Sequence, residues 1–144
     1  MNGMRALTED EKEAFLKDNH GGVLAFAGDK PYCIPIHYAY TKGTVVFEML
    51  RAGRKIEYIN KSRKVCFSVW QEAAQSNIPS LKKERWSSVI LEGELEEVTK
   101  DKWDYYELPK GVPEGIDMVG WILKVNTVGT VCAPASLSFG GETA

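Results

Sequence analysis

Tyr32-Cys33-Ile34-Pro35-Ile36-His37-Tyr38-Ala39-Tyr40, then Thr41-Lys42-Gly43-Thr44, then Val45-Val46-Phe47-Glu48-Met49-Leu50: this stretch decides the fold class. Its outer runs are aromatic and β-branched, and the four residues between them supply a hairpin turn. Two strands are therefore predicted. Pro35 cannot donate to a ladder, which sends its strand to a sheet edge, a bulge, or a place where something other than backbone is bound.

Towards the N-terminus, Thr8 and Glu11 have capping-box spacing and the following turn is acidic, so a first helix is predicted to run to about Lys17. Asn19-His20-Gly21-Gly22 stops it, and Val23-Leu24-Ala25-Phe26-Ala27 reads as a short strand apolar enough to be buried on both faces. Towards the C-terminus, Ile56 and Ile59 suit a short helix, and Val65 to Trp70 returns to strand. Gln71 to Lys83 reads as an exposed excursion and Trp86 to Glu96 as one long strand, with Gly93 at a bulge or barrel corner. A helix over Asp101 to Leu108, a loop to Asp117 and a closing strand from Met118 to Val128 complete the pattern. Six strands and three short helices, with too few helices to alternate, predict a mainly β antiparallel barrel with peripheral helices.

The 144 residues suffice for one core, so a single domain over 1–144 is expected. Eighteen Lys and Arg against twenty Asp and Glu leave a formal charge of -2, which excludes a whole-protein field for nucleic acid or anionic lipid. Met1 to Glu13 is polar and acidic and no apolar run reaches spanning length, so the expectation is a soluble cytoplasmic protein with neither nucleic-acid nor membrane partners. Cys33, Cys66 and Cys132 lack metal-site or disulfide-framework spacing, and three buried, reduced thiols are expected.

The chemistry is concentrated in Met49-Leu50-Arg51-Ala52-Gly53-Arg54-Lys55-Ile56, where a strand passes through Gly53 into a helix whose first turn carries two cations. A helix start already presents free N–H groups and a partial positive charge, so Arg54 and Lys55 oppose it unless an anion sits among them. A bound phosphate resolves the conflict. Full solvation of both side chains does so too, at a cost of about a few tenths of a kcal/mol.

The ordered set Gly22-Val23-Leu24-Ala25, Lys30-Pro31-Tyr32-Cys33-Ile34-Pro35-Ile36-His37-Tyr38, Val46-Phe47-Glu48, Gly53-Arg54-Lys55, Lys64-Val65-Cys66-Phe67 and Trp86-Ser87-Ser88-Val89 resembles the nitroimidazole-resistance branch of the FMN-binding, pyridoxamine 5'-phosphate oxidase-like split barrels. The resemblance covers Gly22 to Gly93 well and the last third loosely. It implies a six-stranded split barrel of Greek-key type, a homodimer with flavin sites at its interface, and FMN, or FAD, as cofactor. It implies that Arg54 and Lys55 hold the flavin phosphate beside Gly53, and that Ile36, His37 and Tyr38 lie along the ring or ribityl chain. Phe47, Glu48 and Met49 would face the flavin, Ser87 and Ser88 would offer hydroxyls, and Trp121 would approach from the other subunit. The implied activity is FMN-dependent oxidation or reduction of a small molecule, nitroaromatic, quinone or pyridoxal-like, supplied with electrons by a reductant.

One position departs from the pattern: relatives commonly follow the aromatic residue with histidine, whereas Phe47 is followed by Glu48. A carboxylate there opposes an anionic reduced ring. His37 is the candidate proton donor, against a packing role. A flavin- or haem-holding barrel without turnover, for storage or sensing, is the alternative function. Glu92, Glu94, Glu96 and Glu97 read as one solvent face of a strand running into its turn, without the histidines of a metal site.

Overall fold

A computed structural model of the chain describes residues 3–137. Helix α1, Glu9–Asp18, begins as the capping box requires. The Thr8 hydroxyl accepts from the Glu11 N–H (3.1 Å) and the Glu11 carboxylate accepts from the Thr8 N–H (2.9 Å). Strands β1 (Gly21–Phe26), β2 (Tyr32–His37), β3 (Ala39–Thr41) and β4 (Thr44–Leu50) follow, then helix α2 (Arg54–Lys61) and strand β5 (Lys64–Glu72). A single-turn helix, α3 (Pro79–Lys82), lies in the excursion after β5, and the long strands β6 (Trp86–Glu97) and β7 (Met118–Ala133) close the fold.

The described residues form one antiparallel sheet of seven strands in the order β2-β1-β5-β6-β7-β4-β3. The seventh strand, beyond the six expected, arises because the run from Tyr32 to Tyr40 breaks at Tyr38. There the chain makes its last bond in the β1–β2 register, the Tyr38 N–H donating to the His20 carbonyl (2.9 Å), and the Tyr38 hydroxyl donates to the Leu16 carbonyl (2.7 Å). Strands β2 and β3, one residue apart in sequence, thus occupy opposite edges of the sheet. Only a sheet curled on itself brings both edges to one residue, which makes this a barrel open between β2 and β3. Pro35 sits on an edge strand, where its missing N–H costs no ladder bond.

The inner face holds Leu24, Phe26, Phe47, Met49, Phe67, Val69, Val89 and Leu91, and Phe15 and Leu16 of α1 and Ile59 of α2 pack into it. Phe47 and Phe67 meet edge to face with centroids 4.9 Å apart. Strand β1 is buried on one face only. Leu24 and Phe26 point inward, while Val23 points outward and remains 42% exposed.

Every residue of β6 pairs with β7, and the register shifts between Glu92 and Gly93. Glu92 opposes Thr127 and Gly93 opposes Val125, so Asn126 is the extra residue of a bulge. Gly93 is obligatory there, because a Cβ would lie 1.9 Å from the Lys124 carbonyl oxygen. The shift resets which β7 side chains face inward. Beyond it Cys132 is buried and exchanges backbone bonds with Arg5 (2.7 and 3.1 Å), and the Thr130 hydroxyl accepts from the Leu7 N–H (2.9 Å).

Two further expectations change. The helix expected over 101–108 is a 3-10 turn, Lys100–Lys102, followed by turns, with Glu107 at a left-handed φ of 58°. Its apolar residues are spent on covering a sheet face: Leu108, Trp103 and Tyr106 pack with Val98 over Val46 and Ile122. Of the cysteines, only Cys132 is buried; Cys33 is exposed and Cys66 half-buried, because both take outward positions beside Ala25.

The N-terminal segment is locked by Arg5, whose guanidinium grips the Glu11 carboxylate with bonds of 2.8 and 3.0 Å, while the Ser80 hydroxyl donates a third (2.6 Å). The Arg5 bonds are the main reason the Glu11 carboxyl is held at about 2, below its ordinary 4.5. A carboxyl whose folded value is depressed contributes stability above its unfolded value, and that contribution is lost as pH falls through the folded one. Urea unfolding of the native chain should therefore lose stability between pH 4.5 and about 2 more steeply than unfolding of Glu11→Gln. Equal slopes would remove this role from Glu11.

Candidate functional site

Strand β4 hands the chain to α2 through Gly53, the N-cap, at φ 97° and ψ -177°. No side chain caps this helix. The Ile56 and Glu57 N–H groups donate to the Gly53 carbonyl (3.2 Å each), which leaves the N–H groups of Arg54 and Lys55 without intrahelical acceptors. The Arg54 guanidinium lies 5.1 Å from the Tyr32 ring centroid. Tyr32 is in turn packed against Tyr58 (4.7 Å) and Phe26 (5.3 Å), so this cation is carried on an aromatic stack joining sheet to helix. The Lys55 ammonium folds back to 4.0 Å from the point a Cβ on Gly53 would occupy. Neither cation is ion-paired to a carboxylate among the described residues. An open helix start flanked by two free cations is an anion-binding arrangement.

A cleft of about 590 Å³ runs from Arg54 along α2, walled on the other side by the turn joining β1 and β2. A second, of about 480 Å³, follows the outer face of β1, β5, β6 and β7 past Cys66 and Thr127, and the two share Ala27. Both lie at the pole of the barrel where β4 ends and α2 begins.

The other residues expected at the site are dispersed. Phe47, Met49 and Trp121 point into the barrel and are 0, 4 and 3% exposed; Ile36 packs against the same core, and Tyr38 is fixed to Leu16. The Arg63 guanidinium lies over the Trp121 ring at 5.2 Å. Ser87 is buried and Ser88 half-buried, and both pair with Gln71 and Trp70 at the far end of β5 from α2. His37 belongs to that far pole as well, opposite Gly21. Glu48 points outward from β4 and shares with His37 a pocket of about 220 Å³ under Tyr106 and Leu108. One chain therefore brings together Gly53, Arg54 and Lys55, pairs His37 with Glu48 elsewhere, and leaves the serines distant. Sequence reading missed Tyr32 and Tyr58 as the support of Arg54. Their alternation with core residues was visible, but not which cation would cross to meet them.

Comparison with known proteins adds a family. Residues 8–114 match the sequence model of pyridoxamine 5'-phosphate oxidase. The chain belongs to that family. No curated protein matches by sequence. Solved structures of the family fold include an FAD-binding protein from Mesorhizobium loti, 23% identical, covering 91% of this chain and 99% of its own, with a TM-score of 0.66. The FAD and haem binding protein of Mycobacterium smegmatis is 12% identical over 96% of this chain and 77% of its own, TM-score 0.68. A protein of Bacteroides thetaiotaomicron assigned to 5-nitroimidazole antibiotic resistance is 13% identical over 90% and 88%, TM-score 0.65. At these identities the likeness establishes the fold alone. No helix among the described residues is long and apolar enough to cross a membrane.

The residues present fit a family flavin at its phosphate end: an uncapped helix start, two free cations, and clefts of the 300–1,000 Å³ order that ligand sites require, about that range. Gly53 is central to the fit, since its backbone conformation is open essentially to glycine alone. Gly53→Ala should cost about 1–3 kcal/mol in thermal or urea unfolding. Native stability in that variant would show that the helix start tolerates a side chain.

Proposed function

We propose that this protein is a homodimeric flavin-dependent oxidoreductase that holds the flavin phosphate at Gly53, Arg54 and Lys55. The observation carrying the reading is the start of α2, without a side-chain cap and flanked by two cations that no carboxylate among the described residues neutralises. Solved relatives that bind FAD, and one that binds FAD and haem, support a flavin in this family fold. A bound flavin, FMN or FAD, supplies hydride or electron transfer to a small acceptor such as a nitroaromatic, a quinone or a pyridoxal-like compound. The protein's own share is then anchoring and shielding. Arg54 and Lys55 neutralise the phosphate, the outer sheet face screens the ring from water, and His37 is the candidate proton donor.

A dimer is supported by the outer face of β2, β1, β5 and β6. Pro35, Val23, Ser68 and Ile90 form one row across it, and Trp70 and Ser88 adjoin; its middle rows carry no Asp, Glu, Lys or Arg. Val23, Trp70 and Ile90 are 42, 56 and 41% exposed, whereas Val46 of β4 and Ile122 of β7 are covered by 98–108. A two-fold axis across the strands would lay the Ser88 pole of one copy over the α2 pole of the other, reuniting the hydroxyl with the phosphate site. A reducing, cytoplasmic setting suits an exposed free Cys33.

Storage or sensing without turnover is the second reading, and Glu48 favours it. An outward carboxylate with no cationic partner among the described residues would oppose negative charge on a reduced ring that a second copy brought beside it. Bound flavin that no nicotinamide donor reduces would select it.

Arg54→Ala combined with Lys55→Ala should weaken FMN binding by more than about tenfold, measured by quenching of flavin fluorescence, because charge-assisted contacts are worth roughly 1.5–3 kcal/mol each. Unchanged affinity would remove the phosphate assignment. The native chain should elute at about twice its 16.1 kDa, and Trp70→Glu should shift it towards one copy. A native monomer at micromolar concentration would end the shared-site reading.

A further inference from the structure

The outward positions of β5 are Lys64, Cys66, Ser68, Trp70 and Glu72, alternating with the buried Val65, Phe67, Val69 and Gln71. A cation stands at one end of this row and a carboxylate at the other, with no charge between them. Lys64 and Glu72 are both exposed, and among the described residues neither forms an ion pair. They are separated by about 26 Å of extended chain at roughly 3.3 Å per residue, too far to meet within one copy.

Shape follows the same plan. Trp70 projects from one side of Ser68, exposed over most of its indole, while on the other side half-buried Cys66 lies beside Ala25, and a cleft of about 480 Å³ opens there towards Glu92 and Thr127. Knob and hollow are each two residues from Ser68, and the two charges are each four residues from it. Two copies can lay this face together in two ways. Parallel strands would set Lys64 against Lys64, Glu72 against Glu72 and one indole against the other. A two-fold axis across the strands at Ser68 runs them antiparallel instead: Lys64 meets the partner's Glu72 at both rims, and each Trp70 meets the hollow beside the partner's Cys66. Sheets packed face to face lie about 10 Å apart with strands within about 30° of each other, so an indole fits between them where the opposing residues are small.

Resting on the dimer reading above, we infer that β5 is a self-complementary strand that docks a second copy of this chain antiparallel about Ser68, with Trp70 of each copy completing the cleft beside the other's Cys66. That cleft is then unfinished in a single copy. Its far wall is the partner's indole, and the rim charges fix the register.

Sedimentation equilibrium gives the dimer dissociation constant of the full-length chain, of Lys64→Glu, of Glu72→Lys and of the double variant. Both side chains are exposed, so the core is untouched. Each single reversal sets like charges together at both rims and should weaken the dimer at least about fivefold, and the double reversal should restore it to within about twofold. Unchanged affinity in the single variants, or a double variant weaker than either, overturns the register. The Trp70 contact is read separately in Trp70→Cys with Cys33→Ser, at a concentration where that variant sediments as a dimer. A short bismaleimide should join the new thiol to the partner's Cys66, giving a covalent dimer on a denaturing gel that disappears when Cys66→Ser is added. A link that survives Cys66→Ser sets position 70 against position 70 and overturns the antiparallel arrangement. A dimeric native chain with neither charge rescue nor this link removes the self-complementary strand and leaves the dimer reading standing. A native monomer overturns both.

Discussion

The ladder between β6 and β7 is the constraint on which the rest of the structure depends. It pairs all of β6, and β7 then carries β4 on its other edge, so the position of β4, and of the helix start that β4 delivers, is set from this ladder. The bulge at Gly93 is what lets one long strand serve two purposes. Before it, β7 presents Trp121 and Leu123 to the core; after it, the parity resets so that Cys132 faces inward and secures the N-terminal segment through Arg5. A side chain at 93 would strike the backbone of Lys124, a contact that no rotamer change relieves.

That framework places different chemistry at the two ends of the barrel. At one pole, the end of β4 meets the turn after β1, and the aromatic stack of Phe26, Tyr32 and Tyr58 carries Arg54 to the wall of the cleft along α2. On the outer side of β4, His37 and Glu48 border a smaller pocket roofed by Tyr106 and Leu108. The outer faces differ in the same way. One is covered by Trp103, Tyr106 and Leu108; the other keeps Val23, Trp70 and Ile90 in the open.

Much of this was legible in the sequence because local rules decided it. Thr8 and Glu11 fixed the start of α1 and Gly43 the hairpin, while Pro35 narrowed its strand to an edge, a bulge or a binding place and Gly93 its strand to a bulge or a corner, of which the structure takes the edge and the bulge. What escaped depended on long-range packing. Tyr38 looked like a strand residue, and only its bonds to His20 and Leu16 reveal that the strand divides there and opens the barrel. Trp103 and Tyr106 have helical i, i+3 spacing, but together with Leu108 they cover Val46 and Ile122, with Pro109 and left-handed Glu107 ending any helix. Of the expected site, the cluster adjacent in sequence, Gly53, Arg54 and Lys55, is also adjacent in space. Residues drawn from separate strands fall on inner faces or on the far pole, because alternation along a strand decides which side chain can reach a ligand and a list of motifs does not.

The central claim is that the uncapped start of α2 holds a flavin by its phosphate, and the most direct measurement compares FMN with riboflavin, which is the same molecule without that phosphate. Titrated at low salt and again at about 0.5 M, FMN should bind at least about tenfold tighter than riboflavin, and raising the salt should narrow the gap. Equal affinities for the two, unaffected by salt, would contradict the account and leave Arg54 and Lys55 as solvated surface cations.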